Sequence, residues 1–396
     1  MIYDAIVLGV GGMGSATVYQ LAKRRQKVLG LEQFNIGNDF GSSHGVNRII
    51  RLAYAEDPRY VPLLRRSYEL WREIENLMGE RLLFITGGID AGPEEGAIVR
   101  GSLRACKEYS LPHEVLDSAG LHARFPGYRF PRGMVAIYQQ DAGFVLSERA
   151  IITYVMAAQA IGADIRAREA VLRWEIEKKY VVVHTTLDSY RARHLVITAG
   201  AWAAKMVAPF EKKRMVVPER QVLIWTQPLK PQYFQLGVFP IFNMEGIEAP
   251  PGRYYGFPIY QFPGFKLGKY HHLNEEADPG FMDRECNSQD EAVLRKAIRM
   301  YFPDANGPTM AMKTCLFTNS PDEHFFLDLH PETPLVSIAA GFSGHGFKFA
   351  SVIGEIMADF ALEGGCARFD LDLFRIKRVM KAASALEPAI TKNKRD

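Results

Sequence analysis

The part of this chain that most constrains its fold is an N-terminal strand followed by a glycine turn and a helix. A buried strand from Ala5 to Leu8 runs into Gly9, Gly11 and Gly14. In such a turn the first glycine permits a tight bend, the second lets backbone amides approach a pyrophosphate, and the third lets the helix pack on the strand. The helix N-terminus adds free N–H groups and a partial positive charge, which favour a bound anion.

A suitably spaced acid distinguishes this segment from an ordinary glycine-rich turn. A second strand, Lys27 to Leu31, ends in Glu32. The acid follows the turn by roughly 20 residues, where a carboxylate is expected to hold a ribose hydroxyl. The segment therefore predicts a site for an adenine dinucleotide, and leaves open whether it is NAD or FAD and which reaction follows.

Composition limits the remaining possibilities. A chain of 396 residues fits about two domains. Its hydrophobic fraction of 47% is enough for well-filled interiors, and a net charge of +3 is nearly neutral for this length. The longest basic run, Lys212 to Arg214, follows Glu211 and is typical of a solvated loop. Nothing in this pattern favours a nucleic-acid partner.

The cysteines and the two termini indicate the compartment. Cys106, Cys286, Cys315 and Cys366 form no CxxC pair and are too sparse for a disulfide framework, so we expect a reducing compartment and no metal site. The N-terminus lacks a leader pattern, and no apolar run approaches the ~20 residues needed to span a bilayer. We expect a soluble cytoplasmic protein whose polar tail, Thr391 to Asp396, is frayed.

Two later strands also run into glycines. The strand His194 to Thr198 precedes Gly200, and Val336 to Ala340 precedes Gly341. Ligands in open α/β sheets bind outside the carboxyl ends of the strands. We therefore predict a discontinuous α/β dinucleotide domain with inserted β-rich segments. The other predicted elements are helices at Tyr60–Met78, at Ser147–Ala160 with Ser147 as N-cap, and at Lys348–Leu362, and strands at Tyr180–Thr185, Tyr254–Phe257 and Phe265–Gly268.

The polar segment Ser42 to Arg51 holds two arginines three residues apart, Arg48 and Arg51. If a helix begins at Arg48, both side chains share one face. A guanidinium can grip a carboxylate through two parallel hydrogen bonds. The alternative is an ordinary pair of surface arginines in salt bridges.

The segment Gly341 to Lys348 contains three glycines that allow a close approach of backbone to ligand. The helix after it would direct its positive end toward the same crevice, and Lys348 adds a full charge. Such an arrangement stabilises developing negative charge. The alternative is a structural turn with a surface lysine.

Two single residues, Cys315 and Lys266, are also candidates for a chemical role. Cys315 is either a small buried hydrophobe or a nucleophile and attachment point. Lys266 alternates with Phe265 and Leu267 in a strand, so it points either into a cavity or to solvent.

The order of these motifs resembles the monomeric sarcosine oxidase and N-methyltryptophan oxidase family of amine-oxidising flavoproteins. The resemblance covers nearly the whole chain, through the N-terminal fingerprint and the motifs NRIIR, YYGFP, FKLG, KTC, DEHF and GFSGHGFKFA. It implies FAD as the cofactor. It also implies a Rossmann-like FAD-binding domain, here 1–85, 146–216 and 322–396, with an inserted α+β substrate domain, 86–145 and 217–321, that contains a large mixed sheet.

The resemblance implies roles for individual residues and a reaction. Cys315 would carry the flavin through a thioether, and Arg48 and His44 would lie near the flavin beside the Gly344 loop. Arg51 and Lys348 would bind the substrate carboxylate, and Tyr255 would line the substrate pocket. Lys266 would lie where oxygen reacts, and Val171 would meet the adenine. The implied reaction oxidises an N-methyl or cyclic secondary amino acid to an imine and reduces oxygen to hydrogen peroxide, in a monomer. The alternatives are an FAD dehydrogenase with another electron acceptor, or a non-catalytic nucleotide-binding protein.

Three positions depart from the family pattern. Tyr270 stands where the family has a histidine after the FKLG lysine, with His271 and His272 following. Asn47 replaces a hydroxyl residue, and Phe317 replaces a tyrosine. These differences concern the substrate side chain more than the reaction.

Overall fold

The computed structural model describes residues 1–207 and 215–379; the basic run Lys212 to Arg214 and the tail Thr391 to Asp396 lie outside them. The strands are β1 Ile2–Leu8, β2 Val28–Leu31, β3 Asn47–Ile50, β4 Leu83–Ile85, β5 Gly88–Pro93, β6 Glu114–Asp117, β7 Met134–Gln139, β8 Gly143–Leu146, β9 Asp164–Arg166, β10 Val171–Glu177, β11 Tyr180–Thr185, β12 Ser189–Ile197, β13 Val217–Thr226, β14 Ile241–Glu245, β15 Arg253–Phe257, β16 Phe265–Lys269, β17 Thr309–Asn319, β18 Phe326–His330 and β19 Thr333–Ala340. The helices are α1 Gly12–Lys23, α2 Val61–Met78, α3 Ala97–Tyr109, α4 Ser118–Arg124, α5 Ser147–Ala160, α6 Ala203–Val207, α7 Ser288–Tyr301 and α8 Ala350–Glu363.

The first sheet is built from three distant parts of the chain. Its main order is β10-β11-β12-β1-β2-β9, and β19 pairs with β12 and with β18. The strands β1, β2, β9, β12 and β19 pair in parallel, so their carboxyl ends share one edge. Since β1, β12 and β19 each end at a glycine segment, the predicted convergence of the three transitions is confirmed.

Helix α1 covers this sheet and packs against α5 and α8. Ala16, Val18 and Leu21 are fully buried in the helix, which is why its sequence is apolar on nearly every side. The predicted helix starts were wrong in detail. Ser147 is the first helical residue rather than the N-cap, and its hydroxyl bonds Glu148. Helix α8 begins after a single 3₁₀ turn over Phe347–Phe349.

The second sheet is the predicted large mixed sheet. It has the order β17-β13-β16-β15-β14-β5-β7-β6, with β14 and β5 parallel and the other pairs antiparallel. An aromatic core that includes Phe239, Phe242, Phe265 and Phe302 packs against it. The α/β fold class is therefore confirmed, while the exact domain boundaries stay predictions.

A third, small sheet shows that the condition for Arg48 and Arg51 to share a helical face is not met. Strand β3 pairs antiparallel with β8, and β4 pairs with the other side of β8. The β-branched residues Ile49 and Ile50 favour this extended pairing over a helix. Arg48 lies in the strand and Arg51 directly after it, so the two do not share a helical face.

Candidate active site

A cleft lies at the carboxyl edge of the first sheet, and its lining extends from the glycine turn to Tyr255 in the second sheet. A lining that extends this far suits an extended ligand. The predicted site residues that line the cleft are Gly9, Gly11, Glu32, Arg48, Arg51, Val171, Tyr255, Gly344 and Lys348. Residues from both large sheets therefore meet around one space.

The glycine turn has the geometry that the sequence predicts. Gly9 has φ +90°, and a Cβ on Gly14 would lie 1.8 Å from the Gly9 carbonyl oxygen. A Cβ on Gly11, by contrast, would meet no described atom within 4 Å. Gly9 and Gly14 are thus required by the fold, whereas Gly11 keeps the cleft wall open.

This difference predicts that Gly11→Ala folds normally but loses affinity for the cofactor. The added methyl group projects into space that a pyrophosphate would need, without touching the protein. In the Cys315→Ser background, from which the cofactor can be removed, we expect the dissociation constant of FAD, the cofactor that the resemblance implies, to rise by at least about tenfold. Gly365→Ala is the control, since its Cβ also meets nothing and Gly365 lies away from the cleft. Unchanged FAD affinity in Gly11→Ala would contradict this interpretation. So would an equal loss of thermal stability in the two variants when no ligand is present.

Glu32 holds the turn as well as facing the cleft. Its carboxylate accepts from the backbone N–H groups of Val10 and Phe34, both at 3.0 Å. Burial raises the pKa of Glu32, although these N–H donors oppose that shift. A carboxylate has about four acceptor positions, so capacity for a ribose hydroxyl remains.

Cys315 lies in β17 directly behind the cleft wall. Its Sγ is 3.5 Å from Nη2 of Arg48 and 3.7 Å from the carbonyl oxygen of Ser42, and both partners line the cleft. Burial opposes ionisation, but His44 and Arg48 outweigh it and lower the thiol pKa to about 7. Both ring nitrogens of His44 are buried and reach hydrogen-bond geometry with no described residue. A thiol with this pKa is partly ionised near neutral pH.

Arg51 is buried rather than exposed, so the surface salt-bridge alternative was wrong. Its Nε lies 2.9 Å from Asp90 and its Nη2 lies 3.0 Å from Glu56. Within residues 1–207 and 215–379, no acceptor bonds Nη1. Although burial opposes the charge, these two carboxylates raise the pKa of Arg51. The guanidinium stays charged and keeps its Nη1 group, which carries two N–H donors, for a ligand.

The two carboxylates around Arg51 respond differently. Burial opposes ionisation of Glu56, but Arg51 and Arg253 together lower its pKa well below the usual range. For Asp90, burial outweighs Arg51 and the pKa is raised. The difference follows from the number of guanidinium groups, since Glu56 touches two and Asp90 touches one.

Lys348 is also buried, so the surface-lysine alternative was wrong. Its Nζ donates to the His345 carbonyl oxygen at 2.6 Å and, more weakly, to the Tyr54 hydroxyl at 3.5 Å. An ammonium has three donors, which leaves one for a ligand. Burial, reinforced by the charge of Arg51, lowers the pKa of Lys348 well below its usual range.

Lys266 is buried behind the cleft and does not point to solvent. Its Nζ donates to the Gly45 carbonyl oxygen at 2.6 Å and to two oxygens of Asn47 at 2.8 and 3.0 Å. The same Nζ lies 4.3 Å from the ring centroid of Phe257, which lines the cleft. Burial and the charge of Arg48 lower the pKa of Lys266. Asn47, a departure from the family pattern, is thus one of the groups that hold this lysine.

Three residues that follow the FKLG motif, Tyr270, His271 and His272, lie in different surroundings. Tyr270 lines the cleft and packs against Tyr255 and Phe317, with ring centroids 5.3 Å apart in both pairs. His271 instead bonds Glu219 and Glu323, which raise its pKa to about 9. His272 is buried against Asp290. An aromatic phenol, rather than either histidine, therefore faces the cleft.

Sequence reasoning missed Tyr54, Glu56, Asp90, Asn243 and Arg253. These residues surround Arg51 and Lys348 but belong to four separate stretches of chain. Two features of the sequence could have indicated these residues. Asp90 interrupts the apolar run of β5, and Arg253 precedes Tyr255 by two residues in a strand, which places both on one face.

The cleft fits FAD on the structure's own features. It combines an open Gly11, an acid near that turn, and a thiol whose pKa is lowered by the buried His44 beside it. The sequence pattern of the FAD-dependent oxidoreductase family matches residues 4–360. The chain belongs to the family of FAD-dependent oxidoreductases, and FAD is its cofactor.

Relatives agree along nearly the whole chain. It is similar to the monomeric sarcosine oxidase of Streptomyces avermitilis, at 39% identity over 96% of this chain and 98% of that protein. It is also similar to the N-methyl-L-tryptophan oxidase of Citrobacter koseri, at 34% identity over 96% and 99%. The fold matches that of the amino acid oxidase NikD, with a TM-score of 0.81, 25% identity and coverage of 94% and 97%.

Two features are absent from the described residues. No helix there is long and apolar enough to cross a membrane. No group of three or more His, Cys, Asp or Glu side chains in 1–207 and 215–379 is placed to hold a metal ion.

Proposed function

We propose that this protein oxidises a secondary amino acid, N-methylated or cyclic, to an imine and reduces oxygen to hydrogen peroxide. The observation that carries this is the cleft containing two buried cations, Arg51 and Lys348, each with a donor left for a ligand. The names of the relatives support the substrate class. FAD, when bound, accepts a hydride equivalent, which is two electrons and one proton, from the substrate C–H bond. The substrate also loses its N–H proton, and water then hydrolyses the imine.

The two cations would bind the substrate carboxylate. An arginine N–H and a lysine ammonium in a buried site form charge-assisted hydrogen bonds, which are about twice as strong as neutral ones. Holding the carboxylate fixes the position of the neighbouring carbon, the atom that must lose hydrogen. Tyr255, Phe257 and Tyr270 line the same cleft and would form the apolar wall around the amine substituents.

Cys315 would hold the cofactor covalently through a thioether. The support is a buried thiol whose pKa is lowered to about 7 by His44 and Arg48. Arg48 also donates to the Ser42 carbonyl oxygen at 2.9 Å and so holds the loop that lies over the thiol. Gly344 and Val171 would contact the cofactor at other points of the cleft wall.

Lys266 would promote the reaction with oxygen. A buried ammonium stabilises negative charge that develops as oxygen is reduced. We expect Lys266→Met to slow oxygen consumption by at least about 100-fold, with anaerobic reduction by substrate changed much less. Stopped-flow measurement of the two half-reactions checks this. Lys269→Met is the control, because Lys269 lies in the same strand, three residues after Lys266, but its Nζ bonds the His272 carbonyl oxygen. Equal slowing of both half-reactions would reject the role.

One experiment tests the reaction class. The purified protein is mixed anaerobically with sarcosine, N-methyltryptophan, pipecolate and proline, and bleaching of the flavin absorbance is recorded. Dimethylamine, which lacks a carboxylate, is the matched control. We expect at least one carboxylated amine to bleach the flavin, dimethylamine to do so far more slowly, and air to restore the colour with hydrogen peroxide formed in equal amount.

The other outcomes separate the alternatives. Bleaching that dyes reverse but air does not would identify a dehydrogenase with another acceptor. No bleaching by any secondary amine would overturn the proposal and favour a non-catalytic nucleotide-binding protein.

A further inference from the structure

Arg253 is a half-buried cation next to Arg51 and Lys348, and no sequence motif indicated it. It begins β15, two residues before Tyr255, so both side chains project from the same face of the sheet. The backbone N–H of Tyr270 donates to the Arg253 carbonyl oxygen at 2.8 Å. Strand register therefore brings Arg253 beside two aromatic residues of the cleft.

The guanidinium of Arg253 makes three separate contacts. Its Nε donates to Oδ1 of Asn243 at 3.1 Å, its Nη2 donates to Glu56, and its Cζ lies 4.2 Å from the ring centroid of Tyr270. Asn243 and Tyr270 line the cleft, and Glu56 bonds Arg51. Arg253 itself is 24% exposed and forms the layer behind these residues.

The charges of the cluster around Arg51 nearly balance. The cations are Arg51, Arg253 and Lys348, and the anions are Glu56 and Asp90. Burial holds the pKa of the neighbouring His345 at about 3, so this ring is neutral near pH 7. With Lys348 protonated, the cluster carries one positive charge in excess. A single carboxylate would neutralise it, and burying an excess charge without such a partner is costly.

We propose that Arg253 is a further specificity-determining residue, which selects ligands with a single carboxylate by acting through Glu56 and Tyr270. The inference deepens the proposed function and rests on its assignment of Arg51 and Lys348 to the substrate carboxylate. Without Arg253, Glu56 and Asp90 together offset the charges of Arg51 and Lys348. The excess positive charge then disappears, and the attraction for a carboxylate falls with it. The ring of Tyr270 also loses the planar group that packs against it.

The test measures binding of two simple probes to the flavin-containing protein by calorimetry. Acetate carries one carboxylate, and acetamide has the same shape without the charge. We expect Arg253→Met to weaken acetate binding by about tenfold or more and acetamide binding by less than about twofold, because the charge is lost while most of the side-chain volume is kept.

Two variants control for this result. Arg253→Lys restores the charge and should recover acetate affinity to within about threefold of the parent protein. Arg191→Met removes the same charge from an exposed arginine of the first sheet that pairs with Glu177, and should change neither probe. Thermal melts without probe verify that each variant is folded.

Glu56→Gln provides a test in the opposite direction. It removes an anion from the cluster, so the excess positive charge grows and the single-carboxylate preference should relax. We expect malonate, which carries two carboxylates, to gain affinity relative to acetate. If Arg253→Met and Arg191→Met bind acetate equally, or if Arg253→Met weakens acetate and acetamide alike, the inference is overturned.

The inference and the proposed function fail separately. Charge-dependent acetate binding in a protein whose flavin no amine reduces would support the selective role of Arg253 while the oxidation is rejected. Flavin reduction by amines with acetate binding indifferent to Arg253 would reject the selective role alone.

Discussion

Replacing Lys348 by methionine is expected to raise KM for a carboxylated amine by about 100-fold or more, since truncating one partner of a buried charge pair costs about 2–5 kcal/mol. The side chain is buried, and its Nζ has described acceptors for only two of its three donors. Methionine keeps the volume and removes the charge. Because the lost interaction holds the substrate in place, kcat should also fall, but by less than kcat/KM.

Lys348→Arg is the matched control and should recover part of the affinity, because it keeps a cation in the same place. An uncharged competitor such as acetamide should bind both variants equally. Unchanged KM in Lys348→Met would contradict the role of this lysine in carboxylate binding.

The same residue predicts how affinity depends on pH. Its pKa is lowered by burial and then by the charge of Arg51, so it loses its proton below the usual range for lysine. The charged and titratable groups that face it are Arg51, Tyr54, Glu56, Asp90, Arg253 and His345. Since only protonated Lys348 attracts a carboxylate, KM should rise as pH increases through this lowered pKa. The Lys348→Met variant should lose that dependence.

Cys315→Ser is expected to abolish retention of flavin through acid precipitation. A thiol of pKa about 7 is a competent nucleophile near neutral pH, whereas a serine hydroxyl is not. We expect the precipitated parent protein to stay yellow and the precipitated variant to release all of its flavin into the supernatant, which absorbance at the flavin band measures.

Cys286→Ser provides the comparison for this experiment. Burial, together with Asp290, raises the pKa of the Cys286 thiol to about 11, so it should contribute nothing to covalent attachment. The Cys286→Ser pellet should remain as yellow as that of the parent protein. A colourless parent pellet would show that the cofactor is bound without a covalent bond.

Local sequence patterns were sufficient for the elements that interact with their chain neighbours. The strand, turn and helix around Gly9 and Gly14 follow from a short stretch in which a Cβ on Gly14 would collide with the Gly9 carbonyl oxygen, although Thr198 from a distant strand also excludes a side chain at Gly9. Similarly, the apolar periodicity of α2 predicted its bounds to within one residue of Val61–Met78.

Patterns failed where distant contacts set the outcome. Arg48 belongs to a strand because β8 pairs with its segment, and nothing near Arg48 in sequence reveals that partner. Lys266 alternates with apolar residues, as a half-exposed strand would, yet both faces of β16 are covered. Burial on both faces depends on layers contributed by other parts of the chain.

The amino-acid order thus defined a dinucleotide-binding α/β chain with candidate groups at Arg51, Cys315 and Lys348, because each lies in a motif with recognisable local chemistry. Folding added what no motif contains: the charge state and availability of those groups. Arg51 keeps its Nη1 group for a ligand because Asp90 bonds Nε and Glu56 bonds Nη2, and Cys315 is acidic because His44 and Arg48 lie beside it. Electrostatic effects act through space over a few ångströms, so they depend on which segments the fold brings together rather than on their order in the chain.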